Sequence, residues 1–310
     1  MPYLKQAFYY NIMLFLSKIP EWVILYLLLP GIGFILGLIV TGVVQRIRYF
    51  RKLEKARKYV LFWIDDIVMR TRNLIDTLNK FNEKLVNFDN DDVILAYNMI
   101  FPDYLMEFDK ELISESLVFN ATGDFKTNHL HLTNLLGRLI YIKEMMENLK
   151  KKYDKFSDTL LEKVNEMENL HLEINNKVVN HSVRDNTQLY DEILNPLNKL
   201  IKDFSAKNNP EKKFKSVQRK IVWDGLINPI YRHCQTLNST NQDVLQWSSE
   251  VREICKKIGN CMQIIKSLRN QNSGQFKNLE EGFKKLETAL TTYRNHFEQT
   301  PLRRWWIIWK

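Results

Sequence analysis

The sequence at residues 22–44 reads WVILYLLLPGIGFILGLIVTGVV and includes no charged side chain. The run is 23 residues long, and about 20 apolar residues suffice for an α-helix to cross the hydrocarbon core of a bilayer. A helix satisfies its own backbone hydrogen bonds, so such a segment is stable in lipid. The sequence therefore predicts a transmembrane helix, which we place at residues 21–45.

Positive charge is distributed unequally on the two sides of this run. The 14 residues that follow it, QRIRYFRKLEKARK, include seven Lys or Arg and one Glu, whereas only Lys5 and Lys18 precede it. Cytoplasmic segments carry the positive excess in membrane proteins, and a cleaved signal peptide has the opposite layout. We expect a retained single-pass anchor in the inner (plasma) membrane, with the N-terminus outside and the bulk of the chain in the cytoplasm.

The rest of the charge is almost balanced. The chain has a formal net charge of +9, yet residues 59–300 hold 33 basic and 34 acidic side chains. Anionic headgroups favour each juxtamembrane Lys or Arg by roughly 1 kcal/mol. The distribution predicts a bilayer with anionic headgroups as a partner, bound at Arg46, Arg48, Arg51 and Lys52. It argues against nucleic acid, which a domain that is basic throughout would indicate.

The N-terminal residues are apolar and aromatic, but Lys5, Gln6, Asn11 and Lys18 interrupt them. They are too few to cross a bilayer and predict an interfacial amphipathic segment, with a re-entrant hairpin as the alternative. The predicted domains are this segment, the transmembrane helix, a basic juxtamembrane helix, a cytosolic helical bundle and a cationic Trp-rich tail. Their ranges are residues 1–20, 21–45, 46–58, 59–300 and 301–310.

Small residues recur at every fourth position within the apolar run. Gly33, Gly37 and Thr41 therefore share one face of the predicted helix. Small side chains at this spacing allow two helices to approach closely in lipid. Glycine is also common in transmembrane helices generally. We interpret this face as a self-association surface and expect a homo-oligomer.

Three stretches of residues 59–300 repeat apolar side chains at steps of three and four. This period is typical of long helices that pack in bundles or coiled coils. The stretches are Val60, Ile64, Ile67, Thr71, Leu74, Leu78, Phe81, Leu85 and Phe88; Leu135, Leu139, Ile142, Met146, Leu149, Tyr153, Phe156 and Leu160; and Phe276, Leu279, Phe283, Leu286, Leu290, Tyr293 and Phe297.

No stretch alternates with the two-residue period of a β-strand. The predicted fold class is therefore all-α, an elongated cytosolic helical bundle or coiled coil that follows the transmembrane helix. We further expect a helix at 93–118, a long helix near 129–181, helix starts at the Asn-Pro pairs of Asn195, Asn209 and Asn228, and a break at residues 272–274, which read Asn-Ser-Gly.

A local basic patch lies at residues 212–220. Lys212, Lys213, Lys215, Arg219 and Lys220 have only Glu211 nearby as an opposing charge. Such a run could bind phosphate, and it could equally be a solvated helix face. Phosphate binding would favour an accessory role in a nuclease or polymerase complex.

The last eight residues read RRWWIIWK and combine rings with cations. Arg303, Arg304, Trp305, Trp306 and Trp309 carry these groups. Trp prefers the bilayer interface and cations prefer anionic lipid, so the tail predicts docking on the inner leaflet. Packing against protein is the alternative, because an apolar tail left in water is an unusual exposed patch.

No motif with a catalytic mechanism occurs in the sequence. The phosphate-binding, dinucleotide-binding and HExxH metalloprotease patterns are absent. Cys255 and Cys261 lack the spacing of zinc or redox pairs, and their apolar neighbours predict small core residues. His129 and His131 have no third ligand at a suitable spacing. We therefore expect no enzyme, no catalytic residue, no cofactor and no metal.

The predicted layout is similar, in topology only, to spectrin-like bacterial division regulators and to membrane-anchored effectors of antiphage defence. It suggests a non-enzymatic, oligomeric interaction protein at the membrane that binds a cytosolic protein partner, as a defence-type effector or signal relay. The alternative is an accessory scaffold subunit of a cytosolic nuclease or polymerase complex, and a helical enzyme with a dispersed site is a third class.

Overall fold

The computed structural model describes residues 20, 23, 26, 29–87, 93–97, 109–179, 191, 193, 195–207 and 219–303, with backbone alone at 219 and 220. The described residues are predominantly helical and include no β-strand, which confirms the all-α fold class. The predicted interfacial segment at residues 1–20 lies almost entirely outside this part of the chain. Coiled-coil geometry stays a prediction.

Seven α-helices and two π-helical turns make up the described part of the chain. The helices are α1 Leu29–Val86, α2 Lys110–Ser114, α3 Phe125–Val179, α4 Asn195–Lys207, α5 Arg219–Val222, α6 Asn228–Thr236 and α7 Gln242–Gln299. The π-helical turns are Glu115–Phe119, after α2, and Trp223–Ile227, between α5 and α6. Helices α4 and α6 begin at two of the three Asn-Pro pairs that predict helix starts, although α6 directly continues the π-helical turn before it. The third pair, Asn209-Pro210, lies outside the described residues.

The first part of α1 is long and apolar enough to cross a membrane. Its large side chains are exposed: Leu29, Ile32, Phe34, Ile35, Leu36, Leu38, Ile39, Val40, Val43 and Val44. None of the most apolar stretch is buried inside the protein. This separates it from the core helix of a soluble protein, which buries its apolar residues.

The chain divides into two compact units by its internal contacts. Unit 1 comprises Met1–Phe62, Phe108–Leu132 and Phe297–Lys310. Unit 2 comprises Trp63–Glu107 and Thr133–His296. Helix α1 contributes its first part to unit 1 and its second part to unit 2, and its hydrogen bonding is unbroken from Leu29 to Val86.

The periodic apolar positions of the sequence form the core. In α1 the positions Val60, Ile64, Ile67, Thr71, Leu74, Leu78, Phe81 and Leu85 are all buried. The corresponding positions of α3 and α7 are buried or half-buried throughout. Most of the stability of such helices comes from packing one apolar face rather than from intrinsic propensity. The predicted helical bundle is therefore confirmed.

An aromatic layer joins α1, α3 and α7 within unit 2. The ring of Phe81 lies 5.0 Å from that of Phe276 and 6.1 Å from that of Phe156, in edge-to-face geometry. Phe156 and Phe276 are 6.0 Å apart in the same arrangement. Edge-to-face pairs are worth about 0.5–1.5 kcal/mol beyond the area that they bury. This layer fixes the register of the three helices.

A second core section of unit 2 collects the shorter helices around α3 and α7. Its buried members are Met167, Ile174, Ile193, Leu197, Ile227, Ile230, Cys234, Val244, Trp247, Val251, Ile254, Cys255, Ile258 and Cys261. Burial raises the pKa of the Cys234 thiol to about 11 and that of Cys255 to about 12. The three cysteines are free and buried, which confirms that Cys255 and Cys261 are small core residues.

The C-terminus of α1 is capped by an arginine from α7. The guanidinium of Arg269 is 2% exposed and donates to the carbonyl oxygens of Leu85 at 3.2 Å, of Asn87 at 2.7 Å and of Lys84. The last carbonyl groups of a helix have no partner within it, and a cation there also complements the helix dipole. Arg269 thereby fixes the end of α1 within unit 2.

Two local predictions were wrong. Helix α7 runs without a break through residues 272–274, where Asn-Ser-Gly predicted a stop. A glycine in a helix costs only about 1 kcal/mol relative to alanine, and burial of Phe276 and Leu279 outweighs that cost. Residues 93–97 form no helix, although Val93 and Leu95 are buried, so the predicted helix at 93–118 is wrong at its start. Residues 110–118 of that range are helical, and residues 98–108 lie outside the described part of the chain.

We expect Phe276→Ala to lower the free energy of unfolding by about 3–5 kcal/mol, because it opens a cavity between three helices. The matched control is Leu172→Ala on α3, whose side chain is 59% exposed. It should change stability by less than about 0.5 kcal/mol. Urea unfolding of the full chain in detergent, followed by circular dichroism, measures both. Equal effects of the two substitutions would contradict the aromatic layer.

Candidate membrane-proximal site

The predicted membrane-facing cations lie on the first turns of α1 after the apolar run. Arg46, Arg48, Arg51 and Lys52 are all exposed. They belong to unit 1, together with the apolar run itself. Because they follow Val44 within eight residues, a helix rise of 1.5 Å per residue sets them within about 12 Å of its end.

The predicted self-association face is exposed on α1. Gly33, Gly37 and Thr41 lie in the helix at spacings of four and have exposed positions. A Cβ atom added at Gly33 or Gly37 would meet no atom within 4 Å. Nothing within the described chain therefore requires these residues to be small. Self-association itself stays a prediction.

The C-terminal segment after α7 lies against the turn that precedes α3. The backbone N–H of Thr122 donates to the carbonyl of Pro301, and that of Arg303 donates to the carbonyl of Asn120, each at 2.7 Å. Ala121 and Leu302 form an isolated antiparallel bridge. The guanidinium of Arg303 adds a bond to the carbonyl of Ala121 at 3.1 Å. This predicted interface residue is therefore anchored in unit 1.

A glycine allows this contact. Gly123 has φ of +91°, a left-handed conformation that side-chain-bearing residues rarely adopt. A Cβ atom there would lie 3.5 Å from the Cγ2 atom of Thr300, which is an ordinary contact distance. The backbone conformation of the turn, and not a lack of space, therefore favours glycine at this position.

Arg57 joins three parts of unit 1. Its buried guanidinium donates to the carbonyl of Ser116 at 3.2 Å and to the carbonyl of Phe297 in the last turn of α7. Burial lowers the pKa of Arg57 to about 10, so the group is still charged at neutral pH. Both of these acceptors are neutral backbone oxygens. The positive charge is thus held close to the C-terminus of α7, where the helix dipole favours a cation.

A second contact fixes the π-helical turn after α2 to α1. The hydroxyl of Tyr49 donates to the Oε2 atom of Glu115 at 2.5 Å. That hydrogen bond is the main cause of the raised pKa of Tyr49. Asp109 caps α2 by accepting from the backbone N–H groups of Glu111 and Leu112. These local bonds hold the segment whose Ser116 carbonyl accepts a hydrogen bond from Arg57.

Sequence reasoning missed the role of Arg57 and of Arg269, although it contained a signal for both. Arg57 lies three residues before Val60 on the buried face of α1. Arg269 lies four residues after Ile265 on the buried face of α7. An arginine at a position that the apolar period reserves for the core needs carbonyl or carboxylate partners there. The available clue was therefore a charged arginine on a helix face whose other residues are apolar.

The remaining predicted site residues are not brought together in the described part of the chain. Arg304, Trp305, Trp306 and Trp309 lie outside it, as do Lys212, Lys213 and Lys215. Arg219 and Lys220 begin α5, with only their backbone described. The basic patch and the alternative of an accessory subunit for nucleic-acid enzymes therefore stay predictions.

The described residues include no group of three or more His, Cys, Asp or Glu side chains arranged to hold a metal ion. The expectation of no catalytic residue, no cofactor and no metal stays a prediction. The chain matches no protein-family model, no curated protein and no solved structure. The features that bear on function are therefore the contacts of unit 1 and the exposed apolar surface of α1.

We expect Arg57→Met to loosen unit 1 locally, because it removes the charged donor that binds the carbonyls of Ser116 and Phe297. A hydrogen bond from a charged group contributes about 1.5–3 kcal/mol. Hydrogen exchange of the full chain in detergent should speed up at residues 115–122 and 297–303. The control Arg51→Met removes the same charge from an exposed position and should leave these amides unchanged. Unchanged exchange in Arg57→Met would contradict the assigned role.

Proposed function

We propose that the chain is a membrane-anchored, oligomeric, non-enzymatic helical interaction protein on the cytoplasmic face of the inner membrane. The observation that supports it best is the exposed apolar surface of α1 between Leu29 and Val44. Soluble monomers rarely expose a contiguous apolar patch larger than about 300–600 Å². A surface that covers a helix on all sides for 16 residues is suited to lipid, because the helix needs no further partner for its backbone.

The orientation in this proposal follows from charge. The exposed cations Arg46, Arg48, Arg51 and Lys52 succeed the apolar surface directly. Cytoplasmic ends of spans carry this excess of Lys and Arg. Unit 2 is then cytoplasmic, and it is the part that offers surface to a cytosolic protein partner. Anionic headgroups are the ligands of the juxtamembrane cations.

The contacts of the C-terminal segment support a second membrane attachment. Arg303 is bound to residues 121 and 123 in unit 1. Leu302 lines a common groove with Ile47 and Phe50 of α1. Arg303, the last described residue, therefore lies beside the juxtamembrane turns of α1. In the proposal Trp305, Trp306 and Trp309 dock on the inner leaflet, as interfacial Trp residues do.

The proposal includes two outputs that differ in their effect on the bilayer. One is scaffolding, in which unit 2 holds a partner at the membrane. The other is membrane perturbation, as in a defence-type effector, in which associated spans disturb the permeability barrier. Expression of the chain in bacteria with a voltage-sensitive dye separates them. Depolarisation supports the effector, and a normal potential supports the scaffold.

We expect the full chain to stay with the membrane fraction after washing with high salt and to be released by detergent. Single cysteines report the sides of the membrane, since the native thiols are buried. A membrane-impermeant maleimide should label Gln6→Cys in intact cells, and should label Glu281→Cys, an exposed site on α7, only in inverted vesicles. Recovery of the chain in the salt wash, or labelling of Glu281→Cys in intact cells, would disprove the proposal.

We expect Gly37→Leu to reduce self-association, because the larger side chain on the small-residue face keeps two helices from approaching closely. Gly42→Leu lies on another face and should not reduce it. Both glycines have open space around them within the chain, so neither change should disturb the fold. Crosslinking in membranes measures the oligomer. If depolarisation occurs, it should also be lost in Gly37→Leu and kept in Gly42→Leu. Equal crosslinking of both variants would contradict the hypothesis that the chain self-associates through this face.

A further inference from the structure

A groove of about 740 Å³ lies in unit 1 between α1 and the C-terminal segment. This volume is within the range of about 300–1,000 Å³ that is typical of small-molecule sites. Ile47 and Phe50 of α1 and Leu302 of the C-terminal segment supply apolar walls. All three side chains are half-buried. The groove is therefore concave and apolar along one part of its lining.

Cations line the other part of the groove. They include Arg51, Arg57 and Arg303, which come from two distant parts of the sequence. Glu54 and Lys58 also line it, and they pair with each other at 2.9 Å. The pair contributes no net charge, so the three arginines give the groove a positive excess. The guanidinium group is well suited to phosphate, which it can bind through two parallel hydrogen bonds.

The order of these residues along α1 matches the layers of a bilayer. At 1.5 Å per residue, Ile47 lies about 5 Å and Arg51 about 10 Å beyond Val44. The headgroup layer of one leaflet is about 5–8 Å thick. In an anchored chain the apolar end of the groove therefore meets the edge of the hydrocarbon, and Arg51 lies just beyond the phosphates. Arg57 lies about 20 Å beyond Val44, deeper on the side of unit 1 away from the bilayer.

We propose that this groove holds one anionic phospholipid, with its phosphate at Arg51 and Arg303 and its acyl chains along Ile47 and Phe50 toward the apolar run. The buried guanidinium of Arg57, already bonded to the carbonyls of Ser116 and Phe297, adds positive charge behind this site. The ligand class follows from charge complementarity combined with the apolar wall at the membrane end. The proposal rests on the membrane anchoring proposed above. It goes further, because diffuse attraction to a charged surface needs neither a concave site nor a fixed stoichiometry.

The test uses the full chain in neutral detergent and counts retained lipid by native mass spectrometry. The probes are dioleoyl phosphatidylglycerol and the zwitterionic dioleoyl phosphatidylcholine. We expect one phosphatidylglycerol per chain at concentrations where phosphatidylcholine is not retained. Arg51→Gln should weaken this binding about tenfold, the scale of one charge-assisted contact to phosphate. Lys52→Gln removes the same charge outside the groove and should change it little.

A second pair of variants tests the groove itself without changing its charge. Ile47→Trp should fill the apolar end and abolish lipid retention. Val43→Trp adds the same ring four residues earlier, at an exposed position outside the groove, and should keep it. Circular dichroism establishes that each variant retains its helices. If Arg51→Gln and Lys52→Gln bind alike, or Ile47→Trp and Val43→Trp bind alike, binding is diffuse and the proposal is wrong.

Two further arms identify other occupants of the groove. Glycerol phosphate offers the same anion without acyl chains, and equal competition by it would assign the groove to a free phosphate and overturn the proposal. A chain ending at Arg303 lacks the Trp-rich tail. If only that shortened chain retained lipid, the tail would be the occupant, which also overturns the proposal. A chain that stays in membranes without retaining lipid refutes the lipid site and leaves the anchor intact.

Discussion

The exposed apolar surface of α1 is the constraint on which the rest of the structure depends. Each large side chain between Leu29 and Val44 would gain about 1.5–3 kcal/mol if it were transferred from water to an apolar environment. The described part of the chain offers no surface that covers them. The membrane of the proposed function, or further copies of this face within it, would remove this cost. In that proposal the cations that follow Val44 would lie at headgroup level, where anionic lipid favours them.

Two buried arginines solve the same problem in the two units. Arg57 binds the last turn of α7 in unit 1, and Arg269 binds the last carbonyls of α1 in unit 2. Helices that end among packed neighbours have carbonyl groups that water does not reach. A guanidinium offers five donors on a long side chain, so one residue can satisfy several such groups. Each unit therefore uses one charge in its interior to close a helix end.

The sequence predicted the parts of the fold that depend on the spacing of apolar residues along a helix. It failed where individual tertiary contacts determine the structure. The steps of three and four identified the buried faces of α1, α3 and α7, because burial of one face is what stabilises long helices. Local breakers misled at residues 272–274, where packing around Phe276 outweighs the weak propensity of Asn-Ser-Gly. The candidate site was predicted only as a list of cations. The spacing of apolar residues could not indicate that Arg303 contacts the turn before α3, since that contact joins residues about 180 positions apart.

In the proposed anchored chain, that return would give the C-terminal residues a physical advantage at the membrane. A free peptide with three Trp and three cations binds a bilayer weakly, because it pays the full entropic cost of association. Here Arg303 is already fixed by backbone and side-chain bonds in the unit that holds the apolar run. Docking of the residues after it would then be an intramolecular step at an effective concentration set by a very short linker. Weak affinity of the tail for the inner leaflet would be sufficient, and the bonds of Arg57 and Gly123 would decide whether that advantage exists.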